Sequence, residues 1–126
     1  MSAIANPGSN SVAVPRKNVA GGGRTLLATD FGFCLDHSAA SNWTLTLPTE
    51  AGAGFVIPEG IMFWCLSRSA NFMKVQGANA GMIVTPYNDA APVDAVYVSP
   101  QNGTAGFRYI VTGGDLWHVE GAHTIV

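Results

Sequence analysis

The sequence WTLTLP at residues 43–48 is the clearest β-strand pattern in the chain. Apolar Trp43, Leu45 and Leu47 alternate with threonine, and a proline ends the run. Successive side chains of a β-strand point to opposite faces, so this period of two is typical of a strand with one buried face. Because proline cannot donate a hydrogen bond to a neighbouring strand, we expect the strand to end at Pro48.

The next apolar run, IMFWCL at residues 61–66, has no such alternation. Both of its faces are apolar, which predicts a strand covered on both sides, with Trp64 in the core. Residues 71–76 are predicted to be its hairpin partner. A helix over residues 61–76, which contain neither glycine nor proline, is the main alternative; the clumped apolar residues and the missing cap disfavour it.

The rest of the chain carries short apolar stretches separated by turn signals, with 15 glycines and 7 prolines in all. Asn102-Gly103 predicts a hairpin because both residues tolerate positive φ, and residues 113–115 predict a second tight turn. This pattern indicates an all-β domain, a compact antiparallel sandwich or barrel of about eight to ten short strands.

Residues 1–23 are predicted to form an extended N-terminal arm, and residues 24–126 the all-β domain. Prolines and the glycine triplet at 21–23 exclude a helix in the arm, and the triplet is a candidate hinge. The first 24 residues contain three basic residues and no acidic one, whereas the rest contains three basic and eight acidic residues. The arm is either a flexible tail or a docking segment that becomes ordered in an assembly.

Composition narrows the class of protein further. The 126 residues suit one domain, and 48% of them are hydrophobic while only 11% are charged. So few charges predict that other subunits cover part of the surface, which indicates a homo-oligomer. A net charge of −2 argues against bulk nucleic-acid binding, and neither a signal-peptide pattern nor an apolar run of membrane-spanning length is recognisable.

No catalytic or metal-binding motif is found, so neither an enzyme nor a cofactor is expected. Cys34 and Cys65 lie among apolar neighbours and are predicted to be buried free thiols, although a disulfide stays open. His37 is predicted to be a solvated turn residue. His118 and Glu120 lie two positions apart on one strand face, but a metal site needs further ligands to converge there.

Aromatic residues provide the remaining candidates. Trp43, Phe63, Trp64 and Trp117 are predicted to pack in the core or in an oligomer contact. Tyr87, in a turn that follows Pro86, is the candidate for a surface contact, although it could instead stabilise its own loop.

An ordered set of motifs between residues 25 and 121 resembles a small β domain of bacteriophage virion proteins, found in capsid decoration, head-fibre and tail-fibre proteins. The motifs are Thr25-Leu26 with Asp30-Phe31-Gly32, then Thr46-Leu47-Pro48, Pro58-Glu59-Gly60-Ile61, and GDLWHVEG at residues 114–121. Residues 72–75 and 82–85 depart from the Val-Thr-Ile repeats that are usual in the middle of the family pattern.

The resemblance implies a virion protein on the capsid surface, made in the host cytoplasm. We expect a capsid decoration, or cement, protein that binds the major capsid protein as a homotrimer and contacts neither nucleic acid nor membrane. Its arm would clamp capsid subunits through Val12, Val14, Arg16, Lys17 and Arg24. The alternative is a tail- or head-fibre module that binds host-surface glycans.

Overall fold

A computed structural model of the protein describes residues 14–86 and 88–126. They form β-strands, one short helix, α1 (Glu50–Ala53), and one 3₁₀ turn, Ala28–Asp30. In chain order the strands are β1 (Arg16–Val19), β2 (Gly23–Thr25), β3 (Cys34–His37), β4 (Trp43–Leu47), β5 (Met62–Ser67), β6 (Met73–Gly77), β7 (Ile83–Thr85), β8 (Asn88–Val93), β9 (Ala95–Val98), β10 (Gly103–Tyr109), β11 (Trp117–Gly121) and β12 (His123–Ile125).

The strands of the described residues pack as two sheets. Sheet A has seven strands in the order β1-β3-β5-β10-β11-β7-β8, and sheet B has five in the order β12-β9-β6-β4-β2. Neither sheet closes on itself. The all-β prediction is therefore confirmed, with a sandwich rather than a barrel.

Residues 16–77 form a solenoid-like winding that contributes strands to both sheets. Strands β1 to β6 alternate between the two sheets, and each pairs in parallel with the strand two positions later: β1 with β3, β3 with β5, β2 with β4, and β4 with β6. A parallel pair needs a crossover connection, and here the strand in the opposite sheet provides it. Each turn of the winding thus adds one strand to each sheet.

The antiparallel prediction holds only for part of the fold. Antiparallel pairs join β5 to β10, β10 to β11, β6 to β9, β9 to β12 and β7 to β8, whereas the winding strands and the β7–β11 pair are parallel. The predicted hairpin between residues 61–66 and 71–76 is wrong, because β6 lies in sheet B beside β4. Local pattern predicted both strands but not the sheet that each one joins.

Strand β4 behaves as its alternation predicts. Trp43, Leu45 and Leu47 are fully buried, and the threonines between them are half-buried on the outer side. Inside the sandwich, the Phe63 ring stacks on Phe107 at a centroid distance of 5.1 Å, with an angle of 8° between the rings. Burial of each such side chain contributes about 1.5–3 kcal/mol, and these contacts join the two halves of sheet A.

The domain begins earlier than the predicted boundary at residue 24. Strand β1 pairs along its whole length with β3, and β2 continues from the glycine triplet into sheet B. The part of the predicted arm at residues 16–23 therefore belongs to the sandwich. Its extended conformation was expected, but parallel pairing with a strand 18 positions later, as between Arg16 and Cys34, has no local sequence signal.

The two predicted turns have different outcomes. Asn102 has a φ of 80° and Gln101 one of 60°, yet the turn links β9 in sheet B to β10 in sheet A and is not a hairpin. The Asn102 and Gln101 amides donate to the carbonyls of Ser67 and Ser69, at 2.7 and 3.4 Å, so the turn is already bound to the end of β5, the neighbour of β10 in sheet A. By contrast, the turn at residues 113–115 does join antiparallel neighbours, β10 and β11.

The trimeric state stays a prediction, since the structure describes a single chain. Within the described residues, the sole α-helix has four residues, and no helix is suited to crossing a bilayer.

Candidate association surfaces

The outer face of sheet A, turned away from the core, carries an apolar band along β5. Alternation buries Phe63, Cys65 and Ser67 completely and turns Met62, Trp64 and Leu66 outward, where each is half-buried. We call these three outward residues the apolar band. The prediction that Trp64 lies in the core is wrong: it is on the outer face, and within one chain β5 is covered fully on one side only.

A glycine on the neighbouring strand makes room for the Trp64 indole. Gly106 of β10 lies opposite Trp64 in the sheet register. A Cβ placed on Gly106 would lie 3.2 Å from both Cδ1 and Nε1 of the indole and 3.4 Å from the Met62 methyl. The ring therefore extends over β10, and Gly106 presents no side chain beside it.

Charged residues flank the band. On its β3 side, Arg68 Nε donates to Asp36 Oδ1 at 2.8 Å, and a nitrogen of Arg16 lies 3.6 Å from the other oxygen of this buried carboxylate. The hydrogen bond to Asp36 raises the pKa of Arg68 above its ordinary value. On the opposite side, Arg108 and Glu120 are exposed on β10 and β11.

Two of the three basic residues predicted to bind the capsid, Lys17 and Arg24, converge on a second acid, Asp30, which is fully buried. Arg24 donates to both carboxylate oxygens, at 2.6 and 2.9 Å, and Lys17 Nζ donates to one at 3.1 Å. The Leu27 amide also donates, at 2.8 Å. We call Lys17, Arg24 and Asp30 the Asp30 cluster.

Two opposing effects act on the ionisation of Asp30. Burial, the larger single effect, raises the pKa of the carboxyl, but hydrogen bonds from Arg24, the Leu27 amide and Lys17 together hold it below its ordinary value. The carboxylate is therefore kept charged. Lys17 and Arg24 balance it from strands β1 and β2, so the cluster attaches the first turn of the winding to the sandwich.

These contacts change the interpretation of the predicted capsid-binding residues. Arg16, Lys17 and Arg24 all make ion pairs within their own chain. Val14 is 40% exposed beside β1, and Val12 lies outside the described residues. The structure therefore does not leave the three cations on a free arm, since buried carboxylates from the acidic body attract them.

A hydrogen-bonded network that the sequence did not reveal joins α1 to the β10–β11 hairpin. The Tyr109 hydroxyl donates to Glu50 Oε2 at 2.6 Å and accepts from the Asp115 amide at 2.9 Å. The Gly113 amide donates to the same Glu50 oxygen, and Asp115 Oδ1 accepts from the Glu50 amide at 2.9 Å. Residues 50 and 109 lie far apart in sequence, so no local motif predicts the contact.

The same network shifts two pKa values in opposite directions. The hydrogen bond from Tyr109, followed by that from Gly113, lowers the pKa of Glu50. Burial, followed by the hydrogen bond to Glu50, raises the pKa of Tyr109 well above its usual range. The network therefore holds an ionised carboxylate against a neutral phenol, and both forms are stable near neutral pH.

The two cysteines lie on opposite faces of sheet A. Cys65 is in the core, whereas Cys34 is at the outer face beside Trp64, and both are free thiols. The prediction of buried free thiols is confirmed. Burial raises the pKa of both, and most strongly that of Cys65, so neither thiol is activated as a nucleophile.

His37 is not the solvated turn residue that the sequence predicted. It is fully buried in β3, its Nε2 donates to the Ser41 carbonyl at 2.7 Å, and its ring stacks on Trp43. Glu120 and His118 lie on the outer side of β11. Among residues 14–86 and 88–126, no three acidic, histidine or cysteine side chains are grouped to hold a metal ion.

The outer face of sheet B is polar where that of sheet A is apolar. A shallow groove there is lined by Thr44, Thr46, Lys74 and Gln76, with β2 along one side. At its side, the rings of Phe72 and Tyr97 lie 5.2 Å apart, and both side chains are half-buried. Hydroxyl, amide and ammonium groups thus lie beside an aromatic pair.

The other aromatic predictions divide between confirmed core residues and one that is not described. Trp43, Phe63 and Trp117 are fully buried, so the prediction of core packing is confirmed for them. Tyr87 lies outside the described residues, and the prediction of a surface contact there stays a prediction.

Compared with known proteins, the chain matches no family model, no curated protein and no solved structure.

Proposed function

We propose that the protein is a bacteriophage virion structural protein, a capsid decoration protein that binds the outer capsid surface as a homo-oligomer. The apolar band on sheet A is the observation that carries this proposal. Met62, Trp64 and Leu66 present half-buried apolar surface in a chain with only 11% charged residues. Contiguous outward apolar surface of this kind is typical of protein–protein contacts.

The state of the cysteine thiols and of the buried carboxylates also favours binding over catalysis. Both thiols have raised pKa values, and the carboxylates of Asp30 and Asp36 are engaged in ion pairs. Decoration requires only complementary surface, and burial of apolar area contributes about 25 cal/mol per Å². The order of motifs along residues 25–121, which resembles virion β domains, supports the capsid setting.

The proposed clamp is shorter than the sequence suggested. Because Arg16, Lys17 and Arg24 pair with acids of the same chain, the arm in this proposal consists of the residues before β1. That segment is without charged side chains, so its contribution to capsid binding would come from apolar and backbone contacts.

The proposal is tested on particles made from the genome that encodes this chain. We expect mass spectrometry of purified particles to detect the protein. Recombinant protein should also co-sediment, saturably, with particles from which this protein has been removed. A truncation that lacks residues 1–13 keeps every described strand and should bind at least tenfold more weakly. Absence of the protein from the particles, without saturable co-sedimentation, would contradict the proposal; unchanged binding by the truncation would contradict the clamp.

Sheet B favours the second candidate, a fibre module that binds host glycans. Lys74 and Gln76 offer hydrogen-bond donors beside Tyr97, and sugars combine polar contacts with stacking on aromatic rings. A glycan array on the intact protein tests it. Saturable binding lost in Lys74→Ser and Tyr97→Ala, but kept in the sheet A variant Leu66→Ser, would support the fibre module; absence of binding would exclude it.

A further inference from the structure

One row of residues across the outer face of sheet A has opposite charges at its ends and an aromatic ring at its centre. Strand register places Arg16 beside Cys34, Cys34 beside Trp64, Trp64 beside Gly106, and Gly106 beside Glu120. The row crosses β1, β3, β5, β10 and β11, so Trp64 is its midpoint. Four interstrand spacings of about 4.8 Å separate the charged ends by about 19 Å.

The middle of the row is suited to contact with another flat surface. Cys34 is 9% exposed and uncharged, Gly106 has no side chain, and the indole of Trp64 lies over the glycine. Met62 and Leu66 extend the apolar surface along β5 on either side. A charged or hydrated surface placed here would lose solvation without compensation, so an apolar occupant is favoured.

We propose that a second copy of this chain covers the face, related by a two-fold axis that lies in the interface parallel to β5. This operation places Trp64 against Trp64 of the second copy and Arg16 against Glu120 of the second copy, twice. A two-fold contact joins a surface to itself, and a row with opposite ends and an apolar centre satisfies that requirement.

The charges select the direction of the axis. A two-fold axis perpendicular to the strands would leave each row on its own side, so Arg16 would face Arg16 and Glu120 would face Glu120. Like charges so placed repel, whereas the axis along β5 gives two opposite-charge contacts. Arg16 is available because its side chain is 61% exposed and the carboxylate of Asp36 keeps its shorter bond to Arg68. Arg108 is also exposed on this face, but it lies beside Met62 and is therefore not part of the row that contains Trp64.

This inference rests on the self-association in the proposed function and names its surface. It predicts a dimer as the unit of association, where the resemblance to virion proteins predicts a trimer. Sedimentation velocity of the full chain over a range of concentrations distinguishes the two states. A reversible dimer is expected; a monomer at all concentrations, or a trimer, would overturn the inference.

Charge exchange tests the register of the contact. Glu120→Arg alone and Arg16→Glu alone should each weaken self-association at least tenfold, because every end-to-end contact then joins like charges. A mixture of the two variants should form a mixed dimer, since opposite charges meet again at both ends. Lys74→Glu, a charge reversal on sheet B, is the matched control and should leave self-association unchanged.

The apolar centre is tested separately. Trp64→Ala should weaken the dimer at least tenfold, and Leu66→Lys provides a second variant in case loss of the indole over Gly106 affects folding; circular dichroism checks both. A dimer insensitive to these variants and to Glu120→Arg would overturn the assigned surface. If these variants do not affect the dimer and the protein still binds particles saturably, the assigned dimer surface is wrong while the proposed function stands. If the dimer forms as expected but binds no particle, the dimer surface stands and the proposed function is wrong.

Discussion

Two basic side chains from different strands meet the carboxylate of Asp30 at the start of the sandwich. Lys17 Nζ and an Arg24 nitrogen lie 3.1 and 2.6 Å from its oxygens, and the acid is fully buried. Both cations keep access to solvent, with 28% and 31% of their side chains exposed. Loss of the acid therefore leaves two charges that can be partly hydrated, which moderates the cost.

We expect Asp30→Asn to lower the free energy of unfolding at pH 7 by about 2 kcal/mol, since hydrogen bonds to charged groups contribute about 1.5–3 kcal/mol each and are only partly replaced. Urea denaturation measures the change. Glu59→Gln, at an exposed acid, is the control and should change the stability by less than about 0.5 kcal/mol. Equal effects of the two substitutions would show that the cluster does not stabilise the fold.

The lowered pKa of Asp30 also predicts how stability depends on pH. Because the folded-state pKa is below the unfolded value of about 3.9, the contribution is complete above that value and is lost as the pH falls through the folded-state pKa. Denaturation at pH 7 and pH 3 should therefore differ less for Asp30→Asn than for the native chain. A difference of the same size in both would contradict the assignment.

At this scale the sequence identified the charges but not their partners. Arg16, Lys17 and Arg24 were recognised as a basic group preceding an acidic body, which is correct as a statement about composition. Their pairing depends on which strands lie side by side, and parallel register between β1 and β3 leaves no trace in local spacing. The position of Trp64 was predicted wrongly for a different reason. Alternation cannot assign side chains to a face of the sheet when both sets of residues in the strand are apolar.

At the scale of elements, the glycine triplet works as a turn between sheets rather than as a hinge. Gly21 and Gly23 have φ values of 82° and 143°, and a Cβ on Gly23 would collide with the backbone of Thr44. Gly22 has an ordinary φ and open space around its Cα. The three positions therefore differ in whether the backbone φ and the surrounding space require glycine, although the sequence has the same residue at all three.

An alanine scan of the triplet should separate these demands. Gly22→Ala should leave the melting temperature nearly unchanged, Gly21→Ala should cost about 1 kcal/mol from its positive φ, and Gly23→Ala should cost most because β2 must also move away from β4. Thermal unfolding followed by circular dichroism measures the order. A true hinge would tolerate all three substitutions alike.

Turn chemistry predicted conformation better than connectivity. Asn102 adopts the positive φ expected of it, but the strand that follows enters the other sheet. The turn at residues 113–115, which the sequence predicted only as a tight turn, does form a hairpin, and within it the Gly114 amide donates to the Val111 carbonyl at 3.0 Å. The difference lies in distant acceptors, the carbonyls of Ser67 and Ser69, which no window around the turn includes.

The Tyr109 hydroxyl connects α1 to this hairpin, so Tyr109→Phe should lower the free energy of unfolding by about 2 kcal/mol, because the Asp115 amide loses its acceptor and Glu50 a donor. Urea denaturation at pH 7 measures the loss. Tyr97→Phe, at a half-buried tyrosine on sheet B, is the matched control and should be nearly neutral.

Alkaline pH gives a second test of the same network. The folded-state pKa of Tyr109 is raised, so its contribution is complete below the unfolded value of about 10 and is lost as the pH rises beyond it. The native chain should therefore lose stability above pH 10 by more than Tyr109→Phe does. Parallel pH profiles for the two proteins would contradict the network.

In the whole molecule, several of the few charged residues are concentrated at the end of the sandwich where the winding begins, and they stabilise that end. Strands β1 and β2 are the outermost strands at one end, and each is held by one neighbour in its sheet. The Asp30 cluster and the stacking of Lys17 over Phe33, at 4.6 Å, supply the additional contacts. This end is therefore held by ion pairs, whereas the centre of the sandwich is held by aromatic packing.

Two truncations should distinguish an arm from a structural strand. A chain that lacks residues 1–13 keeps β1, whereas one that lacks residues 1–20 loses β1, its parallel ladder to β3 and the Lys17–Asp30 ion pair. The longer truncation should therefore unfold at a clearly lower urea concentration than the shorter one, and its β3 amides should exchange with solvent faster. If residues 16–20 belonged to a docking arm outside the fold, the two truncations would have the same midpoint. Because β1 is an edge strand, removing it uncovers β3 and exposes backbone groups that can pair with another chain, so aggregation of the longer truncation at high concentration is the expected accompanying result.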